Sequence, residues 1–227
     1  MTVKREKTDP VLGLEIRQYL QSLGIETPIV NSNLFQPTES KIAKIEKSLT
    51  NIWEVLGMDL KDDSLAETPK RIARMLVNEL NWGLLSENFP KCTVVDNKMG
   101  YDEMVVEKGI TVMSTCEHHG VVFTGHAVVG YIPHEKVLGL SKINRIVEYF
   151  SRRPQIQERL TEQIHHALAY ILDTNDIAVT IDAVHYCVKS RGVSDQSSST
   201  VTSKLGGRFK TESSMRNEFL SLAKYKS

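Results

Sequence analysis

The sequence lacks several features that mark membrane proteins and disulfide-bonded proteins. It has no long apolar run and no segment typical of a signal peptide, so we expect a cytoplasmic protein without a membrane span. It has only three cysteines, and this odd number fits a reducing compartment better than a disulfide framework. Its 28 basic residues equal its 28 acidic residues, so we expect no nucleic-acid or membrane-surface partner. A chain of 227 residues is long enough to bury a core.

Two of the three cysteines lie beside histidines. The first cluster, Cys116–His119, reads Cys-Glu-His-His, and the second, His185–Cys187, reads His-Tyr-Cys. Thiol and imidazole ligands together suit zinc. If the second cluster lies on a strand, its first and last side chains point the same way, because side chains alternate between the two faces. In the first cluster, Cys116 and His119 can share a metal only if the chain bends after Cys116, and Gly120 is suited to such a bend.

The number of protein ligands separates a structural zinc site from a catalytic one. A structural site is closed by four protein ligands, whereas a catalytic site has three and keeps a position for water. We interpret Cys116, Cys187 and one histidine as ligands, and the other histidines of the clusters as proton-transfer groups. Three alternatives remain open: a Cys116–Cys187 disulfide, ordinary packing of buried thiols, and a closed structural zinc in a binding module.

Apolar spacing predicts helices in the first part of the chain. One helix is expected over residues 12–23, a second follows Thr38, and a third has Thr68 as its cap and Pro69 in its first turn. We interpret residues 1–90 as an N-terminal helical arm. Its apolar stripes must pack on another surface, such as that of a neighbouring subunit, and most of its charges are expected on a solvated face.

The pattern changes at Cys92, and residues 91–227 are interpreted as a separate catalytic domain. Strands rich in β-branched residues come first, followed by two helices, two strands over residues 177–188 and 199–205, and a last helix. The first of the two central helices is predicted to have Ser141 as its N-cap, and the second follows Pro154. This order is typical of an α+β domain with two helices packed on one face of an antiparallel sheet.

The predicted helix start at Ser141 has the character of an anion site. Free backbone N–H groups and the helix dipole favour an anion there, and Lys142 and Arg145 follow on one face of the first turn. Arg191, just beyond the second cluster, is a further candidate because arginine can bind two phosphate oxygens at once. The alternative is a solvated cationic face with carboxylates nearby.

Four runs of residues resemble one known family. They are Ser114–His119, Gly139–Arg145, Arg153–Leu160 and His185–Gly192. They occur in the same order in the GTP cyclohydrolase I family, whose members are zinc enzymes that catalyse the first step of pteridine synthesis. The likeness extends from about Asp62 to the C-terminus. It implies the tunnelling fold, in which the sheets of several subunits join around a ring. It also implies a homo-oligomer, a decamer of two pentamers, with the sites at subunit interfaces.

The resemblance also implies roles for single residues. The Zn²⁺ ligands would be Cys116, His119 and Cys187, and the Cys-x-x-His spacing favours His119 over His118. The resemblance also implies proton transfer by His118 and His185 and assistance of ribose opening by Ser141. Guanine recognition is implied near Gln157 and Glu158. The implied triphosphate ligands are Lys142, Arg145, Arg191 and, across a subunit boundary, Arg71.

The implied reaction is the hydrolysis and rearrangement of GTP. Activated water attacks C8 of the guanine, the imidazole ring opens, formate leaves, and ring closure gives 7,8-dihydroneopterin triphosphate. A carboxylate such as that of Glu158 can accept hydrogen bonds from both the N1–H and the 2-amino group of guanine. Without the resemblance, Glu158 would be interpreted only as favouring the first turn of its helix. An enzyme of the same fold that acts on a pterin remains an alternative.

Overall fold

Helices make up the first part of the chain in the computed structural model, which describes residues 7–224. Residues 1–6 of the predicted arm and residues 225–227 of the predicted catalytic domain lie outside this range. The helices are α1 (Pro10–Ser22), α2 (Asn31–Leu34), α3 (Thr38–Val55) and α4 (Thr68–Met75), followed by a π-helical turn, Leu76–Leu80, and two 3₁₀ turns, Trp82–Leu84 and Ser86–Asn88. No helix within residues 7–224 is long and apolar enough to cross a membrane.

The predicted N-terminal arm is attached unevenly to the rest of the chain. Helix α1 belongs to the main core, where Ile16 and Leu20 are fully buried. Helix α3 buries only Ile42 and leaves three apolar side chains near its C-terminal end exposed: Ile52, Val55 and Leu56. Helix α4 begins at Thr68, but Glu67 occupies the cap position that was predicted for Thr68. The domain boundary at residue 90 stays a prediction.

A five-stranded sheet forms the centre of the second part of the chain. Its order is β5-β2-β3-β6-β7, in which β5 runs parallel to β2 and all other neighbours are antiparallel. The strands are β2 (Val105–Cys116), β3 (Val122–Tyr131), β5 (Pro154–Gln155), β6 (Ile177–His185) and β7 (Thr200–Leu205), and β1 (Val94–Asp96) pairs separately with β4 (Lys136–Leu138).

Two long helices, α5 (Leu140–Ser151) and α6 (Gln157–Leu172), cover one face of this sheet. Their apolar side chains form the main core with alternate residues of the strands, such as Val129 of β3 and Val179 of β6. The predicted α+β fold, with two helices on one face, is confirmed and matches the tunnelling fold. Helix α5 begins at Leu140 with Gly139 as N-cap, so the prediction of Ser141 as N-cap was wrong by two residues.

The opposite face of the sheet carries a second, smaller core. Helices α8 (Gly207–Thr211) and α9 (Ser213–Ala223) pack there against residues of β3 and β6 that point away from the main core, including Val128 and Ala178. Phe209 and Phe219 contribute the two aromatic rings of this cluster. The C-terminal helices therefore cover part of the face that the two central helices leave free.

Strand β2 contains a β-bulge that changes which of its side chains face the main core. The pairing with β3 shifts by one residue between Glu107 and Ile110, and Gly109 has a φ of 73°. Before the bulge, Val105 packs on the main core; after it, the buried residues of the strand that belong to this core are Ile110, Val112 and Cys116. The bulge thus places Cys116, the last residue of the strand, on the core side.

Candidate functional site

The first cysteine–histidine cluster lies where the chain turns back after β2. Cys116 is the last residue of the strand, and its backbone N–H donates to Val121 O at 2.8 Å. Gly120 closes the turn, since its N–H donates to Cys116 O at 2.9 Å and its φ of 67° is a conformation that glycine adopts easily. The predicted bend after Cys116 is confirmed.

The second cluster straddles the end of β6. The strand was predicted to continue to residue 188, but it ends at His185 and a single helical turn follows, α7 (Tyr186–Lys189). The prediction that His185 and Cys187 share one face of a strand was therefore wrong. The helical turn brings Cys187 to the first cluster, whereas the ring of His185 stacks on Phe123, with centroids 4.6 Å apart and planes 11° apart.

Cys116, His119 and Cys187 form a group of possible metal ligands. The sulfur and ring-nitrogen atoms that they offer all lie within 4.8 Å of one another. Ligand atoms of a tetrahedral zinc are separated by roughly 3.5 Å, so small side-chain movements would complete the coordination. Both thiols are free, so the structure contains no Cys116–Cys187 disulfide.

The electrostatics of the two thiols also fit a metal ion. Burial, together with the neighbouring Cys116 thiol, raises the pKa of Cys187 above its usual value. A cation held between the two sulfur atoms would favour their thiolate forms and reverse this effect. Two sulfurs and one imidazole nitrogen are a common set for a zinc site that keeps its fourth position open. The donor set and its geometry are therefore suited to a metal.

His118 is exposed and lies beside the metal-ligand group. Its Nδ1 is 3.9 Å from Cys116 Sγ. His118 and Glu117 also line a groove of about 1280 Å³, whose other walls include Lys41 of α3 and Arg74 of α4. His118 is thus close to the ligand group and open to a cavity large enough for a nucleotide.

The beginning of α6 lies against the same cluster. Strand β5 pairs with the end of β2, and Gln155 O accepts the backbone N–H of Glu117 at 3.1 Å. Arg159 of α6 donates to both carboxylate oxygens of Glu117, at 2.6 and 3.2 Å. Such a two-point contact fixes direction as well as distance, so it orients the turn that carries His118 and His119 relative to α6.

Gln157, the first residue of α6, contacts the ring of His185. Its Oε1 lies 2.8 Å from His185 Nε2, and its side-chain nitrogen donates to three further acceptors: Ile181 O, Thr200 O and Thr202 Oγ1. Gln157 is only 2% exposed. We expected this residue near the guanine ring, but both ends of its amide are bound by the protein itself.

His185 and Glu158 are close enough to influence each other electrostatically. Burial lowers the pKa of His185 below its usual value, and the carboxylate of Glu158 opposes that shift. Glu158 is exposed at the second position of α6 and remains free to meet a ligand. The metal-ligand group, His118, His185 and Glu158 therefore surround one region at the start of α6.

Comparison with known proteins agrees with this geometry. The family model described as GTP cyclohydrolase I matches residues 45–224. The chain belongs to the GTP cyclohydrolase I family. GTP cyclohydrolase 1 of Shewanella sp. (strain ANA-3) is 55% identical over 212 residues, which cover 93% of this chain and 97% of that protein. The corresponding protein of Tolumonas auensis is 53% identical over 208 residues, with 92% and 95% covered, and that of Yersinia enterocolitica is 52% identical over 205 residues, with 90% and 92% covered.

The cationic residues expected to bind phosphate in a GTP cyclohydrolase I lie on other elements than the metal-ligand group. Lys142 and Arg145 are half-buried in the first turns of α5, next to the exposed Ser141. Arg191 is exposed just beyond α7, and Arg71 is exposed on α4. The contacts of the metal-ligand turn run to β5 and α6. These four cations lie outside those contacts, and their role in phosphate binding stays a prediction.

Arg153 has a structural role that its sequence context did not predict. Arg153 is 2% exposed, and its Nη1 donates to Glu26 Oε1 at 2.8 Å while its Nη2 donates to Gly83 O. Its backbone oxygen accepts the hydroxyl of Ser114 at 2.9 Å. Arg153 therefore ties the segment before β5 to the predicted arm and to β2. Its only signal was its place in the run Arg153–Leu160.

Proposed function

We propose that the chain catalyses the GTP cyclohydrolase I reaction, the first step of pterin and folate biosynthesis. In this reaction water adds at C8 of GTP and the imidazole ring opens. A second hydrolysis releases formate, and the opened and rearranged ribose closes a new ring with loss of water, giving 7,8-dihydroneopterin triphosphate. The observation that carries this proposal is the grouping of Cys116, His119 and Cys187 beside the start of α6. Membership of the family supplies the reaction.

The metal that suits the three ligands is zinc. When bound, zinc supplies a Lewis acid that makes water a nucleophile near neutral pH. Within residues 7–224, three groups rather than four form the ligand cluster, which favours a catalytic site over a closed structural one. The alternative of a structural zinc therefore receives less support than the open site.

Proton transfer is assigned to the imidazoles that are not ligands. We assign to His118 the protonation of the ring nitrogen at the scissile bond, a role supported by its exposure and by the 3.9 Å between its Nδ1 and Cys116 Sγ. His185 serves the second hydrolysis or the sugar step, and Ser141 assists ribose opening. Glu158 accepts the N1–H and the 2-amino group of guanine with its two oxygens, because it is exposed and lies near His185.

The triphosphate is assigned to the four cationic residues, which we call the phosphate half of the site. Lys142 and Arg145 occupy the first turns of α5, where free backbone N–H groups also favour an anion. Arg191 adds a planar fork for phosphate oxygens. Arg71 contacts the same triphosphate from a neighbouring subunit.

We extend the proposal to a homodecamer of two pentamers in the cytoplasm. The exposed apolar end of α3, formed by Ile52, Val55 and Leu56, needs a partner surface. The groove beside His118 is lined by arm residues and remains open in a single chain, as expected of a site completed by another subunit. The three free thiols favour a reducing compartment. Light scattering of the purified protein measures the assembly, and a monomer at micromolar concentration would contradict this part.

The activity is tested by incubating the purified protein with zinc and GTP. We expect stoichiometric formate and a product that becomes a fluorescent pterin after oxidation. A chelator should abolish both signals, and guanosine should be a very poor substrate because it lacks the triphosphate. Turnover of a pterin but not of GTP would replace the proposal by the related pterin-acting enzyme. Zinc binding without turnover of either compound would favour the structural site.

A further inference from the structure

Gln157 lies at the centre of a directed network of hydrogen bonds. Its amide nitrogen donates to Ile181 O at 3.0 Å, Thr200 O at 2.9 Å and Thr202 Oγ1 at 3.1 Å. Its amide oxygen lies 2.8 Å from His185 Nε2. Two amide hydrogens thus serve three acceptors, and no donor of this side chain is left for a ligand.

The two backbone carbonyls determine which end of the amide faces His185. A carbonyl oxygen can only accept, so the group that faces Ile181 O and Thr200 O must be the amide nitrogen. Turning the amide over would place its oxygen against two carbonyl oxygens in a buried position, where neither side of the contact has a hydrogen to donate. The oxygen of Gln157 therefore faces His185.

The threonine pair closes the network in the same direction. Thr161 Oγ1 donates to Gln157 O at 2.9 Å, so its single hydrogen is used. Thr202 Oγ1, 2.7 Å from Thr161 Oγ1, must then donate to Thr161, which leaves Thr202 as an acceptor for the amide of Gln157. Each of the two threonine hydroxyl hydrogens thus has one acceptor, which is consistent with the same orientation of the Gln157 amide.

An acceptor facing His185 Nε2 selects one tautomer of that ring. Nε2 must carry a hydrogen to donate to Gln157 Oε1, so in the neutral ring the free lone pair is on Nδ1. The stacking of the ring on Phe123, with planes 11° apart, fixes its plane as well. The ring of His185 is thus held at one nitrogen and along one face.

We propose that Gln157 is a positioning residue that holds His185 in the Nε2–H tautomer, so that every proton His185 exchanges during the reaction passes through Nδ1. This rests on the role of His185 under the proposed function. It replaces the expectation that Gln157 reads the guanine base. A wrong tautomer would present a hydrogen where the reaction needs a lone pair, which lowers the rate without loosening the substrate.

The tautomer is tested first, by ¹⁵N NMR of protein labelled at histidine, with His185→Asn to assign the signals. The proposal expects a pyrrole-type Nε2 and a pyridine-type Nδ1 for His185 in the wild-type protein. A pyrrole-type Nδ1 overturns it. The tautomer itself is read from the wild-type protein without any turnover, and His185→Asn serves only to identify the signals. The result therefore remains decisive even if GTP is not turned over and the proposed function fails.

Kinetics then separate positioning from base recognition. In Gln157→Leu we expect kcat to fall by about tenfold to a hundredfold, the range typical when a partner that orients a functional imidazole is removed, while the dissociation constant for GTP stays unchanged. The His185 signals should show a mixture of tautomers. A weaker dissociation constant with unchanged kcat would show that Gln157 contacts the base and would overturn the proposal.

Thr202→Val is the matched control. It removes one of the three acceptors of the Gln157 amide and leaves both backbone carbonyls in place. The amide orientation, the His185 tautomer and kcat should therefore remain close to those of the wild-type protein. A loss in Thr202→Val as large as that in Gln157→Leu would mean that packing in this region, rather than the tautomer, controls the rate.

Discussion

The two halves of the candidate site are built in different ways. The metal half, formed by Cys116, His119 and Cys187, is anchored within a single chain by β5, by the Glu117–Arg159 pair and by the closed turn at Gly120. The phosphate half consists of long cationic side chains on α4, on α5 and beyond α7, and several of them are exposed.

This difference separates groups that are preorganised from groups that are ordered by the substrate. Side chains held by hydrogen bonds and packing lose little freedom when a ligand arrives, whereas exposed lysine and arginine side chains lose much of theirs. Loss of a ligand in the metal half should therefore abolish function, whereas changes in the phosphate half should weaken it by degrees.

The largest effect is expected from removal of a ligand. Cys187→Ser should lose both the bound metal and all measurable activity, because a neutral hydroxyl is a poor zinc ligand. Cys92→Ser is the control, since Cys92 lies outside the ligand group and its thiol donates to a backbone oxygen, Pro90 O, at 3.3 Å. Metal analysis of both purified variants decides the matter, and stoichiometric zinc in Cys187→Ser would refute the assignment.

The neighbouring histidines should respond differently from each other. His118→Ala should keep its zinc and lose activity by about a hundredfold to ten-thousandfold, as expected for one acid–base group. His119→Ala should lose the zinc itself. His166→Ala, a half-buried histidine of α6 paired with Glu162, should leave both unchanged. If His118→Ala is isolated without metal and His119→Ala with it, the two assignments are reversed.

Changes in the phosphate half should have intermediate effects. Lys142→Ala, Arg145→Ala and Arg191→Ala should each weaken GTP binding by about tenfold to a hundredfold, the typical cost of a hydrogen bond to a charged group. Arg152→Ala removes a cation at the opposite end of α5 and should leave binding unchanged. Calorimetry measures all four, and guanosine binding as tight as that of GTP would contradict the anion site.

The smallest effect is expected at the pair that joins the metal turn to α6. Glu117→Gln or Arg159→Lys removes the two-point contact, which is partly exposed to solvent, and should lower kcat/KM by about fivefold or less. Glu212→Gln, which breaks a comparable pair with Arg208 far along the chain, is the control. A loss as large as that of His118→Ala would mean that the turn depends on this pair far more than its exposure suggests.

Much of the metal half could be predicted from the sequence because its signals are local. The pairing of cysteine with histidine in two short runs predicted the group of possible ligands that the structure brings together, and Gly120 predicted the bend. The alternation of a strand did not apply to the second run, because β6 ends at His185 and the helical turn of α7 carries Cys187. No local signal in His185–Cys187 distinguishes a strand from a helical turn, since aromatic and cysteine residues fit both.

The role of Gln157 could not be predicted because it depends on residues that are distant in sequence. Its partners lie on β6 and β7, and only the sheet order brings them to the start of α6. The start of α5 was predicted two residues too late for a simpler reason. Serine is a common N-cap, but here Gly139 adopts the extended conformation that an N-cap requires, and the helix begins after it.

The bulge in β2 makes the candidate metal site depend on the number of residues in the strand. One extra residue between Glu107 and Ile110 moves the side chains of the rest of the strand to the opposite face of the sheet, and Cys116 is the last residue of that strand. Deleting Gly109 would leave every ligand in the sequence and yet turn Cys116 away from its partners. In this strand a change of length would therefore be more harmful than most changes of residue type, and a variant library that permits single-residue deletions should reveal it.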